Sequence, residues 1–315
     1  DATLVILSQV PPGFTRGINK AAVGLRSRLH YQVETLVFGI ALQRALEPER
    51  YIVGCGDPDA PLPGPFRTYL EAYDCPILPM RYESAELAKI SINMCLVASV
   101  GVANTMAEIC EHVGADWSEI APALKLDRRI GMYSYLAPGL GLAGGNLERD
   151  LATVMRLGAA HETDTGIVKA WVENSVWRKG WAARTLKARV LDANPAARVA
   201  VLGLAYKQDT HSTKNSPSLA LLSKLGGVDV VVHDPVVPAT AAPVAVEAAD
   251  GPMAAVTGAD VLCIMTPWSP YKELDPKDIA AAMRGRVVLD PYRVLDEKAA
   301  LAAGLDHVTL GVTRD

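Results

Sequence analysis

The chain has 315 residues, half of them apolar, and a formal net charge of −4 from 31 Lys and Arg against 35 Asp and Glu. That length predicts about two domains with sizeable cores, and the acidic balance excludes a general binder of nucleic-acid backbones while leaving room for a local basic pocket around one nucleotide diphosphate. No uninterrupted run of about 18 apolar residues predicts a membrane span, and the opening Asp1-Ala2-Thr3-Leu4-Val5-Ile6-Leu7 lacks the basic region and cleavage pattern of a signal peptide, so a cytoplasmic protein with neither nucleic acid nor membrane as partner is expected.

From Leu4 to about Met80, short apolar runs alternate with helical stretches: Leu4–Leu7, Tyr51–Gly54 and Pro76–Met80 predict strands of an α/β domain. Its first strand runs into Ser8-Gln9-Val10-Pro11-Pro12-Gly13 where a nucleotide-binding domain normally opens on a glycine-rich turn, so this domain is expected to begin in mid-fold, without its front half. Apolar periodicity then continues unbroken from Ala85 to Val113, beyond the usual length of a globular helix. Such a helix bridges domains or builds a dimer interface. A second helical run is predicted from Asp150 to about Leu186. Beyond it, Arg198–Ala205, Val228–Asp234, Ala259–Met265 and Arg286–Asp290 predict buried parallel strands of a second Rossmann-like domain, with Pro235–Val244 as a surface connection. The expected fold is therefore α/β, with two Rossmann-like domains, the first incomplete, joined by a long central helix. The boundaries are 1–82, 83–190 and 191–315.

Cys55, Cys75, Cys95, Cys110 and Cys263 are odd in number and widely spaced, which points to buried packing thiols rather than a disulfide framework or zinc site. The six histidines show no metal spacing. No metal is expected.

The most distinctive stretch is Pro138-Gly139-Leu140-Gly141-Leu142-Ala143-Gly144-Gly145-Asn146-Leu147-Glu148-Arg149-Asp150. Gly139, Gly141 and Gly144 spell a formal G-x-G-x-x-G, but the dinucleotide fingerprint requires a preceding strand, and Met132–Pro138 does not read as one. Elsewhere, Lys89 and Asn93 stand four residues apart on the long helix, which stacks an ammonium and a carboxamide on one face.

Taken in order, these segments resemble the UDP-glucose and GDP-mannose dehydrogenases. The glycine loop is similar to the family's P-G-x-G-aromatic-G-G-S-C-x-x-K-D, Ser8–Gly13 to its S-T-V-P-x-G, Tyr31–Gly39 to its Y-x-P-E-F-x-x-E-G, and Ala85–Asn93 to its A-E-x-x-K-x-x-x-N. Gly203–Pro217 resembles its G-L-A-F-K-x-x-T-D-D-x-R-E-S-P, followed by Asp234-Pro235, Thr266-Pro267-Trp268 and Asp290–Arg293. The resemblance implies that Lys89 and Asn93 hold the oxygen of the sugar's C6 alcohol or aldehyde, and that Glu34 and Asp150 handle protons and an ordered water. It implies that Arg129 reaches the substrate of a neighbouring subunit, that Tyr135, Gly139, Gly141 and Gly144 shape the substrate loop, and that Lys207 meets the diphosphate or ribose. It places Ser8, Gln9 and Lys214 on the side of an NAD cofactor, NADP remaining open, and implies a homodimer through the central helix.

The loop has no cysteine: Asn146, or Gly145 with the loop shifted by one, takes the nucleophile's place. Gln9 replaces a threonine, Phe38 a glutamate, Lys214 an arginine and Arg149 a lysine. These departures cluster at the acid-forming step. They suggest an NAD-dependent enzyme on a nucleotide-linked sugar that performs one hydride transfer, or returns the hydride as an epimerase. The alternative is a non-catalytic homologue that binds a nucleotide sugar, and either is compatible with a domain front that lies outside this sequence.

Overall fold

The apolar runs that precede Met80 form a four-stranded sheet in the order β1-β2-β3-β4, built from β1 (Leu4–Ile6), β2 (Leu29–Gln32), β3 (Tyr51–Cys55) and β4 (Ile77–Arg81). This computed structural model describes residues 2–21, 28–36 and 40–313, and the chain divides into two units, Asp1–Cys95 and Leu96–Asp315. Phe38 lies outside the described residues.

In the first unit β1 pairs with β2 and β3 with β4 in parallel, while β2 and β3 run antiparallel. The helices between them are α1 (Phe14–Ala21), α2 (Ala41–Leu46) and α3 (Gly64–Glu71). Alternation along β3 sends Ile52 to one face, against Tyr31, Tyr82 and Ala85, and sends Tyr51, Val53 and Cys55 to the other, against Phe66 and Leu70. The sequence reading missed β2 because His30 and Gln32 interrupt its apolar run. His30 is nonetheless buried, and burial pushes its pKa down.

The long periodic segment is one helix, α4 (Tyr82–Val113), as its pattern predicts. Its buried positions Ala85, Glu86, Ile90, Asn93 and Val97 recur every three to four residues. By length and composition alone α4 could cross a membrane, but its inward stripe carries the buried polar groups Glu86, Asn93 and Asn104. The thiols divide differently from expectation. Cys55, Cys110 and Cys263 are buried and Cys75 is half-buried, but Cys95 is exposed because its place in the helical period turns it outward.

The second unit continues with α5 (Trp117–Leu126), α6 (Asn146–Ala160), α7 (Gly166–Lys179) and α8 (Trp181–Leu186). The single run expected from Asp150 to Leu186 is thus broken twice. One break falls at residues 161–165, where Glu162 adopts a positive φ of 54° and the Asp164 carboxylate accepts the Gly166 amide at 2.8 Å to restart the chain; the other falls at Gly180. The remainder forms a six-stranded, wholly parallel sheet in the order β10-β9-β8-β5-β6-β7. Its strands are β5 (Val199–Leu202), β6 (Val230–His233), β7 (Glu247–Ala248), β8 (Val261–Ile264), β9 (Val287–Leu289) and β10 (Asp306–Val308). Around them lie α9 (Pro217–Leu222), α10 (Pro252–Val256), α11 (Ser269–Lys272), α12 (Pro276–Ala282) and α13 (Glu297–Ala302). The four predicted strands are its centre, β9-β8-β5-β6, and their Val, Leu, Ile and Ala residues make the largest core. The strand order reverses between β5 and β8. In open parallel sheets that switch point opens the ligand crevice outside the carboxyl ends of the strands.

Candidate functional site

In the first unit, Ser8 and Gln9 follow the carboxyl end of β1, Ser8 exposed and Gln9 half-buried. The turn they open is fastened to α4 by Glu86, whose fully buried carboxylate accepts from the amides of Gly13 at 2.6 Å and Thr15 at 2.8 Å. Those amides belong to the start of α1, where helix geometry leaves N–H groups without partners of their own. One turn and two turns further along α4 come Lys89, half-buried, and Asn93, buried. Glu34 is exposed, and its carboxylate accepts from the amide of Leu36. Sequence reasoning missed the part played by Glu86, which in isolation reads as one more helical glutamate.

In the second unit the glycine loop is held from several sides. Gly139 donates its amide to Asn104 Oδ1 at 2.8 Å, and the Leu142 amide donates to Ser175 Oγ at 2.8 Å. At Gly141, φ is +79° and a Cβ would collide with the Ser175 carbonyl, so only glycine passes there. Residues 132–145 contain no strand, so the formal G-x-G-x-x-G does not sit in a strand-turn-helix unit. The loop's far end meets the segment after β5: the Gly144 amide donates to the Lys214 carbonyl at 3.0 Å, Asn215 Nδ2 donates to the Gly144 carbonyl at 2.7 Å, and the Tyr206 ring lies against Gly144. Asn215 also donates to Glu148, which pairs with Lys179 at 3.0 Å.

The structure therefore brings Gly141, Gly144, Asn146, Lys207 and Lys214 into one region of the second unit. Asn146, exposed, is the first residue of α6, and Asp150 lies one turn further on, buried, with Arg149 Nε 3.7 Å from its Oδ1. At position 145 the φ of −139° suits any residue, and a Cβ there would meet only the flexible end of the exposed Lys214 side chain, 2.6 Å from its Nζ. Arg129 and Tyr135 are exposed. The Arg129 guanidinium turns back on its own loop to grip Asp127 at 2.6 and 3.0 Å.

The turn at the switch point is fixed in every backbone group. Gly203, at φ +96°, donates to the His233 carbonyl at 2.8 Å. The carbonyls of Gly203, Leu204 and Ala205 accept from Ser218 Oγ, Ser216 Oγ and Thr266 Oγ1 at 2.6, 2.8 and 2.7 Å. The amides of Leu204 and Ala205 donate to Asp234, a residue that the sequence showed only as one half of an Asp-Pro pair. Burial alone would raise the Asp234 pKa, but backbone N–H groups of Val237, Leu204, Ala205 and Val236 outweigh it and hold the carboxyl below the usual range. Lys207 leaves this turn half-buried, its pKa lowered by burial against the opposing charge of Asp209. A cation that has shed part of its hydration gains more from an incoming phosphate than a solvated one does.

A doubly wound parallel sheet with a rigid turn and a lysine at its switch point, held against a glycine loop that opens a helix, is a Rossmann-like architecture. Two models of the UDP-glucose/GDP-mannose dehydrogenase family match the chain, its central domain over residues 83–175 and its UDP binding domain over residues 200–297. The chain belongs to that family. It is 30% identical over 303 residues to the UDP-glucose 6-dehydrogenase of Pseudomonas aeruginosa, covering 90% of this chain and 66% of that protein. With the UDP-glucose 6-dehydrogenase of Rickettsia conorii it shares 26% over 331 residues, 99% of this chain and 73% of the other. A UDP-glucose dehydrogenase structure from the hyperthermophilic archaeon Pyrobaculum islandicum superposes with a TM-score of 0.79 at 28% identity, covering 99% of this chain and 70% of that one.

Proposed function

We propose that this protein is an NAD-dependent oxidoreductase of a nucleotide-linked sugar, of the UDP type, that stops after one hydride transfer. The observation that carries this reading is the site of the missing thiol: Asn146 opens α6, Gly145 is the residue that caps it, and all five cysteines lie elsewhere. Neither a carboxamide nor a hydrogen atom can form the thioester through which an aldehyde is carried to the acid. Family membership implies NAD, and the residues present fit its nicotinamide end, since Ser8 and Gln9 offer polar groups at the carboxyl end of β1. Among the described residues of the first unit, no strand runs into a glycine-rich turn for its phosphates.

Bound NAD supplies the hydride acceptor. Lys89 stabilises the alkoxide oxygen as it forms and Asn93 orients it, while Asp150 and Glu34 hold the water and the proton released. Lys207 and the glycine loop hold the nucleotide, and Arg129 reaches across to a second copy. We take residues 1–82 as the cofactor domain, 83–190 as the helical domain and 191–315 as the nucleotide domain of a cytoplasmic homodimer. The exposed stripe Val102, Met106, Ile109 and Val113 on α4 supports the dimer. Light scattering should give twice the monomer mass, and a monomer would refute that part of the reading.

The chemistry is tested by incubating the protein with NAD and a panel of UDP-, GDP- and ADP-sugars. One NADH per sugar and an aldehyde or ketone product are expected; a carboxylate with two NADH would sink the proposal. An isomerised sugar without net NADH would mark an epimerase, and no product from any sugar a binding protein. Asn146→Cys is expected to raise the yield to two NADH, since its side chain is exposed at the head of α6. Gly145→Cys tests the loop shifted by one, since its Cβ meets only the flexible end of Lys214; two NADH from that variant and one from Asn146→Cys would place the nucleophile's position at 145.

A further inference from the structure

We infer that Asp234 is a positioning residue that leaves the ribose 2′-hydroxyl unread, so that the crevice takes ribo- and 2′-deoxyribonucleoside diphosphates alike. This rests on the reading of the second unit as the nucleotide site.

In doubly wound sheets that hold dinucleotides, an acidic residue beyond the first glycine turn accepts a hydrogen bond from the ribose 2′-hydroxyl. Asp234 stands where such a residue is expected: it directly follows β6, the strand beside β5, and faces the Gly203 turn. Its oxygens, however, point into the protein. Oδ2 accepts from the amides of Leu204 at 2.6 Å and Ala205 at 3.0 Å and from Trp268 Nε1 at 3.1 Å; Oδ1 accepts from the amides of Val236 at 2.9 Å and Val237 at 2.8 Å. A carboxylate offers about four lone-pair directions. Five donors exhaust them, and a sixth partner could enter only by breaking one of these bonds.

The same five bonds show what the carboxylate does instead. They join the chain just past β5, β6 and β8, three neighbouring strands at the switch point, through a single side chain. Held in this way, the Gly203–Ala205 turn delivers Tyr206 against the glycine loop and is followed directly by the half-buried Lys207. Asp234 acts on a nucleotide through that turn and not by touching it.

Isothermal titration of the full protein with UDP and with 2′-deoxy-UDP tests this. Dissociation constants within about threefold of each other are expected, because a charge-assisted hydrogen bond to the 2′-hydroxyl would be worth about tenfold or more. UDP binding with 2′-deoxy-UDP weaker by tenfold or more would overturn the inference while leaving the nucleotide reading intact. Binding of neither would overturn both. The positioning role is tested with Asp234→Asn, titrated at a temperature where circular dichroism shows it folded. Both nucleotides should weaken by the same factor, about tenfold or more. A purely structural role would lower the melting temperature and leave the affinity of the folded protein unchanged, and that result would overturn it. Trp268→Phe removes one donor and keeps the charge, and serves if the asparagine variant does not fold. It should weaken both nucleotides equally, and a loss confined to UDP would count against the inference.

Discussion

Lys89→Ala is expected to lower turnover of the nucleotide sugar by about a hundred- to a thousand-fold, the usual cost of removing one preorganised donor from a developing oxyanion. The expectation starts from the helix. Lys89 is half-buried on α4, one turn before the buried Asn93, and Glu86 anchors that stretch of helix by accepting hydrogen bonds from the amides of Gly13 and Thr15 at the start of α1. A short side chain at 89 leaves the backbone in place, so the loss falls on chemistry rather than on folding. Negative charge on the substrate oxygen appears as its proton is lost and passes into the carbonyl bond as hydride departs; the bound alcohol itself is neutral, and the loss should therefore appear in kcat with KM little changed. Lys89→Arg keeps the charge but moves its centre, and should recover only part of the rate. Initial rates of NADH formation measure all three proteins. Turnover of the alanine variant within about threefold of the parent would remove Lys89 from the mechanism, since so small a change is under 1 kcal/mol.

Much of the fold was legible because apolar pattern and period carry it. Tyr51–Gly54 and the four central strands of the second sheet announce themselves as β-branched runs, and α4 as a long three-to-four repeat. What was missed has polar residues in ordered places. β10 contains Asp306 and His307, yet His307 is fully buried because its Nε2 lies 3.1 Å from Asp290 Oδ2. β7 is two exposed residues at a sheet edge, too short for any alternation to show. The break at 161–165 carries a local hydrogen bond from the Gly166 amide to the Asp164 carboxylate, which hydrophobic periodicity does not register.

The candidate site was legible in a different way. Its glycine loop and the lysines at 89, 207 and 214 were found by resemblance, with helical spacing as the physical support for Lys89 and Asn93 alone. Asp234 and Glu86 were not found, because a carboxylate that accepts backbone amides leaves no mark in composition or spacing. Both act one layer behind the residues that would touch substrate. Gly145 shows the same limit from the other side, since only the structure reveals that the end of the Lys214 side chain lies over it.

The largest effect on stability is expected at Arg178, which lies in the last turn of α7 and is fully buried. Its guanidinium pairs with Glu108 at 3.2 Å and Glu111 at 3.4 Å, both on α4. Those carboxylates have further partners: Glu108 accepts from Trp177 Nε1 at 2.8 Å, and Glu111 from Trp181 Nε1 at 3.1 Å and from the Gly311 amide at 3.0 Å. Arg178 is thus a cation through which α7 is tied to one turn of α4, and Arg184 stands as a second cation 3.7 Å from Glu108. Its removal leaves two partly buried carboxylates without their nearest positive charge, and breaking such a buried arrangement from one side costs about 3–5 kcal/mol. For a unit of this size that lowers the melting temperature by roughly 10 °C. Arg178→Lys should lose less, since it keeps the charge but cannot reach both carboxylates with a fork. Replacing Glu111 by Gln in the Arg178→Met background removes one of the two stranded charges, so the double variant should be more stable than Arg178→Met alone. Differential scanning calorimetry of the set decides the matter. An Arg178→Ala protein that melts within about 2 °C of the parent would show that solvent reaches the carboxylates and that the network contributes no more than a surface pair.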